Sequence, residues 1–311
     1  MRSGYALAAI VLLASLSKGG VAPADEGGVS FWLPGQFASF AAIAPAPGFS
    51  LPLQTYFYTG SASGDQVLNR GGKLRLGLDT TLVGQMITPT YTPDIRLLGG
   101  RPSVSLTIFP GYNEVSADAS LGMLTDAESD SILGFGDLYP MAQLFWDSGV
   151  HNGMAYLTGD IPVGAYNPNR LANLGIGHPA IDAGGAYTYD NPSNGWEFSA
   201  TAGLTYNFEN TETDYRNGID SHLDLGLSKS LGPKFFVGAV GYAYVQLTPD
   251  QGQPAALGAF ESRTFAVGPQ AGYTFDVAGA SVDANLRGYY EFAVENRTEG
   301  ASVFLAISVQ P

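Results

Sequence analysis

The sequence predicts an all-β protein: a transmembrane antiparallel β-barrel of about 12 strands with an N-terminal non-strand segment. Three observations carry that prediction. Stretch after stretch alternates apolar and polar residues with period two, the pattern of a strand whose two faces meet different surroundings. The chain has 41 Gly, 17 Tyr and 17 Phe but only 14% charged residues, a balance that suits glycine- and aromatic-rich strands better than amphipathic helices. Long and short connections also alternate along the chain, as external loops and periplasmic turns do in bacterial barrels.

The first element is not expected in the fold. Arg2 supplies a positive n-region, Tyr5 to Leu16 an apolar h-region and Ala22-Pro23-Ala24 a small-residue cleavage site, so residues 1–24 read as a secretory signal peptide with maturation near Asp25. Beyond it, no run approaches the roughly 18 consecutive apolar residues of a membrane helix. Removing Arg2 and Lys18 from the 14 basic residues leaves 12 against 28 acidic ones, a formal charge of −16 that argues against nucleic acid as a partner. Such acidity equally serves to keep a surface soluble. The chain contains no cysteine, which excludes disulfides and thiolate chemistry and leaves strand pairing as the source of stability. Residues 25–48 then form the N-terminal segment and 49–311 the barrel.

Twelve strands are expected, at 49–59, 73–89, 101–113, 134–146, 153–161, 180–190, 195–208, 218–230, 234–247, 262–276, 279–292 and 300–309. In the cleanest, Trp196, Phe198, Ala200, Ala202, Leu204, Tyr206 and Phe208 alternate with Glu197, Ser199, Thr201, Gly203, Thr205 and Asn207. Leu74, Leu76, Leu78 and Leu82 likewise alternate with Arg75, Gly77, Asp79 and Thr81. The apolar sets are expected outward and the polar sets toward the lumen. Turn residues such as Asp147-Ser148-Gly149 and Asn191-Pro192-Ser193-Asn194 mark short connections, while 114–133, 162–179 and 248–261 are expected as long external loops. Two connections break the rule, 90–100 being long for a turn and 293–299 short for a loop. A soluble β-sandwich also alternates, but predicts shorter strands. The aromatic pairs Phe57-Tyr58, Phe145-Trp146 and Tyr289-Tyr290 are expected in interfacial girdles, although aromatics favour strands in any case.

The stretch 29–48, VSFWLPGQFASFAAIAPAPG, fits no strand. It begins apolar, predicts a short helical turn around Gln36 to Ile43 and ends in a stiff Pro-Ala-Pro run. Two readings stay open: a hatch inside the barrel using Phe31, Trp32, Phe37 and Phe40, or a periplasmic lead-in packed on the rim.

Three stretches carry a family resemblance: FWLPGQFASFAAIAPAPGFSL at 31–51, GFGDLYP at 134–140 and GDIPVGAYNPNRLANLGIGHPAIDAGGAYTY at 159–189. With the strand layout, they make the chain similar to the outer-membrane family labelled after the meta-pathway of phenol degradation, which includes proteins linked to sphingosine response. The resemblance implies a barrel in the outer membrane of a Gram-negative bacterium that carries small hydrophobic or aromatic compounds, with outer-membrane lipid around it. The last strand departs from common outer-membrane practice by closing on Val309-Gln310-Pro311 rather than on an aromatic residue.

Chemistry on a substrate is not expected. Ser221 and His222 are strand neighbours and point to opposite faces, so they cannot form a nucleophile–base pair. His151, His178 and His222 lack metal-ligand spacing, and no cofactor motif is present, since Gly175-Ile176-Gly177 and Gly134-Phe135-Gly136 lack the context of a dinucleotide site. Asp126, Glu128 and Asp130 read as a solvated acidic loop, with divalent cations as the alternative. The lumen-facing candidates are Arg75, Asp79, Asp137, Asp160, Asp182, Glu197, His222, Asp224, Arg287 and Glu291. Most are expected to pair with one another, because about twelve strands leave a narrow lumen. The function expected is passage or uptake of small hydrophobic or aromatic compounds, the alternative being a non-conducting lipid-binding or structural envelope protein.

Overall fold

The computed structural model describes residues 30–67, 73–121, 124–252, 261–277 and 280–310; the signal peptide read at 1–24 lies outside them. Sixteen strands follow in order: β1 (Gly48–Ser50), β2 (Leu53–Val67), β3 (Lys73–Ile87), β4 (Thr90–Thr92), β5 (Arg101–Leu121), β6 (Leu124–Ser148), β7 (His151–Asp160), β8 (Ala180–Asn191), β9 (Trp196–Asn207), β10 (Tyr215–Arg216), β11 (Asp220–Ser230), β12 (Phe235–Gln246), β13 (Gln251–Gly252), β14 (Arg263–Val277), β15 (Ala280–Glu295) and β16 (Glu299–Gln310). Twelve of them form the wall, each antiparallel to the next, and β16 returns to pair with β2 through partners such as Phe304 with Tyr56 and Ala301 with Thr59. The sheet is therefore a closed ring. Closure removes the unpaired strand edge that lipid cannot solvate.

The two faces of this ring are inverted relative to a soluble protein. Leu204, Leu286 and Tyr290 are 53%, 53% and 65% exposed, while Asp182, Glu197 and Asp224 are buried. On β9 the outward apolar residues and the inward Glu197, Ser199, Thr201 and Thr205 follow the period-two alternation of the sequence. Such a surface is stable only against hydrocarbon, which sets the apolar band in the bilayer and the polar face around the lumen.

Several expectations are corrected. The stretch 114–133 is not a loop: β5 runs to Leu121 and β6 starts at Leu124, so Asp126, Glu128 and Asp130 stand on a tall hairpin. Asp79 faces outward and is exposed, because on β3 the alternation runs the other way: Leu82 and Met86 turn inward against Tyr56, Tyr242, Tyr289 and Phe304. This part of the lumen is apolar, so the leucines of β3 do not mark the lipid face. Arg75 belongs to the same strand, with a side chain outside the described set. Within the aromatic pairs Phe145-Trp146 and Tyr289-Tyr290 only one member faces out: Trp146 and Tyr290 are exposed, whereas Phe145 and Tyr289 are buried. Neighbours in a strand cannot both reach the same face.

The long 90–100 connection has a structural use. It holds β4, which pairs with β1 on one side and β5 on the other and so lengthens the wall beyond the ends of β2 and β3. Between β5 and β6, Ile108 pairs with Leu138 and Pro110 with Phe135, which leaves Gly136 and Asp137 opposite Phe109 alone. That bulge switches the face parity of β6 and aims Asp137 inward. Gly136 lets the neighbouring chain come close there, since a Cβ would lie 3.0 Å from Leu174 O and 3.1 Å from Phe109 Cδ1.

The inverted surface makes a direct prediction. Leu286→Arg, in the middle of β15 and facing lipid, should cost about 2–4 kcal/mol in denaturant titrations of barrel refolded into phospholipid vesicles, and Leu231→Arg in the turn after β11 about 0–1 kcal/mol. Equal costs would contradict the placement of the apolar band.

Candidate functional site: the lumen and its inserted segment

Residues 30–47 lie against the inner face of the ring. Two hydrogen-bonded turns, Gln36 N to Leu33 O and Ile43 N to Phe40 O, replace the helical turn expected there. Because the segment has no strand partner, its backbone groups must be satisfied by side chains. Asp224 Oδ1 and Oδ2 accept the N–H groups of Gly35 and Phe37 at 2.8 and 3.2 Å. Glu197 Oε1 accepts that of Phe40 at 2.9 Å, Ser199 Oγ that of Ala41 at 3.3 Å and Thr188 Oγ1 that of Ala42 at 3.0 Å. From the opposite wall, Arg287 donates to the carbonyls of Gly35 at 3.2 Å and Gln36 at 2.8 Å, and the Tyr289 hydroxyl donates to Gly35 at 3.2 Å. Near the turn end, Arg101 donates to Pro45 O at 3.0 Å.

Gly35 is a point of close approach to the wall. Its φ is +81°, and a Cβ there would meet Tyr289 Cζ at 2.9 Å and Tyr242 Cδ1 at 3.0 Å. No other residue type fits both the left-handed backbone and the contact.

The aromatic residues of the segment each meet the wall or one another. Phe31 lies 5.9 Å from Tyr139 and Phe40 5.3 Å from Phe236, ring centre to ring centre. Trp32 is stacked on His222 at 3.5 Å and lies 5.7 Å from Tyr156 and 5.8 Å from Phe37. The segment thus spans from Phe236, near the turn end of β12, to His222, near the loop end of β11.

The inward acids do not chiefly pair with arginines, as the sequence suggested. Asp182 accepts from Thr205 Oγ1 at 2.5 Å and contacts His222 Nε2 at 3.0 Å, with the Tyr156 hydroxyl 3.2 Å from that same nitrogen. Glu291 accepts from the hydroxyls of Tyr58 and Tyr242 and from the Gly300 N–H at 3.0, 2.8 and 2.8 Å. Asp137 accepts the N–H groups of Gly164 and Ile176 at 2.7 and 2.8 Å, fastening the loop after β7 to the wall. Asp160 is buried beside them, and neither carboxylate oxygen has a hydrogen-bond partner among the described residues. Ser221 donates to Val245 O at 2.9 Å, away from His222. Among the described residues no group of three or more His, Asp or Glu side chains is arranged to hold a metal ion.

The lumen therefore has two sides. One is an apolar wall of Tyr56, Val240, Tyr242, Ala266, Tyr289 and Phe304, packed by Leu33 and Ala38 of the segment. The other is the polar network on β7, β8, β9 and β11. Thr188, Ser199 and Tyr156 do not stand out in the sequence, although Thr188 and Ser199 share the inward parity of Asp182 and Glu197.

A family model described as "Putative MetA-pathway of phenol degradation" matches residues 60–307. The chain belongs to this phenol-degradation family. The crystal structure of the COG4313 outer membrane channel from Pseudomonas putida F1 matches this family member with a TM-score of 0.56 at 15% identity, over 90% of this chain and 99% of that one. That of a FadL homologue from Pseudomonas aeruginosa matches with a TM-score of 0.47 at 9% identity, over 95% of each chain. No curated protein matches the sequence. Fold, surface and family together make this a β-barrel of the Gram-negative outer membrane.

The fastening can be tested locally. Asp224→Ala deprives two N–H groups of their acceptors, and each unmet bond should cost about 1–3 kcal/mol. Hydrogen exchange at the Gly35 and Phe37 amides should accelerate accordingly, while amides of β9 and β12 keep their protection.

Proposed function

We propose that this barrel passes small hydrophobic and aromatic compounds across the outer membrane, through a lumen that residues 30–47 close as a hatch. The observation that carries the reading is how the segment is held: by non-covalent bonds from wall side chains to its backbone, within a ring whose strand pairing is continuous without it. Bonds of this kind to charged side chains contribute about 1.5–3 kcal/mol each net, so the segment is displaced only by a ligand whose preference for the open form offsets several of them. The side of the lumen lined by Tyr56, Tyr242, Tyr289 and Phe304 offers flat apolar surface to a ring or short chain. The similarity in fold to the COG4313 protein, an outer membrane channel, fits the same reading. Inward acids outnumber Arg287, so ions that leak through should favour cations.

Planar-bilayer recordings of the refolded barrel supply the test. The intact chain should show small or intermittent conductance, and deletion of residues 30–46 should raise it severalfold with a preference for potassium over chloride. Added 2-naphthol should reduce the current of the deleted form. An inserted deletion variant that stays silent, with unchanged uptake of aromatic compounds in a strain lacking the protein, would instead indicate a non-conducting lipid-binding or structural barrel.

A further inference from the structure

We propose that the slot over the face of His222, with Tyr156 beside it, is a binding site for a planar aromatic ring with a polar edge, and that Trp32 is its resident occupant, displaced by such a ligand. The inference rests on the reading of the lumen as a solute path. Its starting point is the stack itself. The Trp32 ring lies 3.5 Å from His222 with the planes 13° apart and 5.7 Å from Tyr156 at 26°, and the side chain is 1% exposed. The face of His222 at this spacing, with Tyr156 beside it, accepts any flat ring of similar width.

The second observation concerns the rim of the slot. Trp32 Nε1, His222 Nδ1 and Asp182 Oδ1, the last on the carboxylate that contacts His222, are all buried, and none has a hydrogen-bond partner among the described residues. Buried polar atoms are ordinarily satisfied, and packing alone would be served as well by a phenylalanine or leucine. A ring carrying a hydroxyl or a ring N–H, free to choose its own angle, can meet donors and acceptors that the tethered indole leaves unmet. The matching ligand class is a hydroxyarene or a nitrogen heteroarene of one or two rings.

The site is coupled to the fastening of the segment. Asp224 follows His222 by two residues on the same face of β11 and holds the N–H groups of Gly35 and Phe37, three and five residues after Trp32. A ring that takes the slot pushes Trp32 out within a few residues of that latch. Because Trp32 is tethered, its effective concentration at the slot is on the order of millimolar, which keeps the site shut to a ligand present at trace level.

The probes are indole and cyclohexanol, the second bearing a hydroxyl but no flat ring, titrated calorimetrically into detergent-refolded barrel. Trp32→Ala should bind indole about tenfold or more tightly than the intact chain. The double variant Trp32→Ala/His222→Ala should lose that gain, and cyclohexanol should not distinguish the proteins. Indole binding that is equal in the single and double variants, or matched by cyclohexanol, overturns the proposal. The unmutated chain gives an independent readout: saturating 2-naphthol should accelerate hydrogen exchange at Leu33 and Gly35, and unchanged exchange overturns displacement. Indole binding by a barrel that never conducts would uphold the slot and reject the solute path; conduction without an indole slot would reject the slot alone.

Discussion

Pairing of β16 with β2 is the constraint on which the rest of the molecule depends. A sheet in hydrocarbon cannot leave a strand edge unpaired, since each unmet backbone group costs several kilocalories per mole, so the twelve wall strands must close on themselves. Closure makes the wall one residue thick. With lipid on one side, alternate positions have only the lumen to face, and a ring this narrow removes them from bulk water. Carboxylates placed there need donors. Asp224 and Asp137 obtain theirs from backbone N–H groups of chain folded inward, Gly35 and Phe37 in the first case and the loop after β7 in the second, while Glu197 takes the Phe40 N–H together with the hydroxyls of Ser199 and Ser228. The inserted segment and the inward acids thus satisfy one another.

The contacts on the segment divide by chemistry. Acids and hydroxyls on β8, β9 and β11 take its N–H groups, whereas Arg287 and Tyr289 on β15 take its carbonyls. Gly35 sits at the crossing point, giving its N–H to Asp224 and its C=O to Arg287 and Tyr289. Arg287 is itself held over the face of Phe304 at 4.6 Å, which ties the polar clamp to the apolar wall. The lumen thus has one flat apolar side and one hydrogen-bonding side, which fits the proposed passage of amphipathic rings.

Much of this is legible in the sequence, and the failures share a cause. β9 is readable because one face meets lipid and the other meets polar side chains along its full length, so Trp196 to Asn207 alternates without interruption. The same rule misplaces Asp79, because it assumes a polar interior. Where β2, β3, β12, β15 and β16 line an apolar patch, both faces of a strand can be apolar, and the leucines of β3 lose their meaning. The hairpin above the bilayer reads as a loop because Ser116 to Ser131 carries many small and acidic residues, and a paired ribbon in water needs no greasy face. Partners of the inserted segment cannot be read at all. The bond from Gly35 to Asp224 spans 189 residues and that from Phe40 to Glu197 spans 157, and backbone donors leave no mark in the choice of residue.

That last property bears on how such a device can change. Since the latch is made to backbone atoms, its strength is set by the wall residues Asp224, Glu197 and Arg287, together with Gly35, whose approach to Tyr289 admits no side chain. The side chains of Phe31, Trp32, Phe37 and Phe40 are not used for fastening and instead occupy aromatic surroundings at Tyr139, His222, Tyr156 and Phe236. Substitution among those four alters what fills the lumen without removing a hydrogen bond that holds the segment. On the proposed reading closure and occupancy are therefore separable: the wall sets how firmly the segment is held, and the four aromatic side chains set what fills the space beside it.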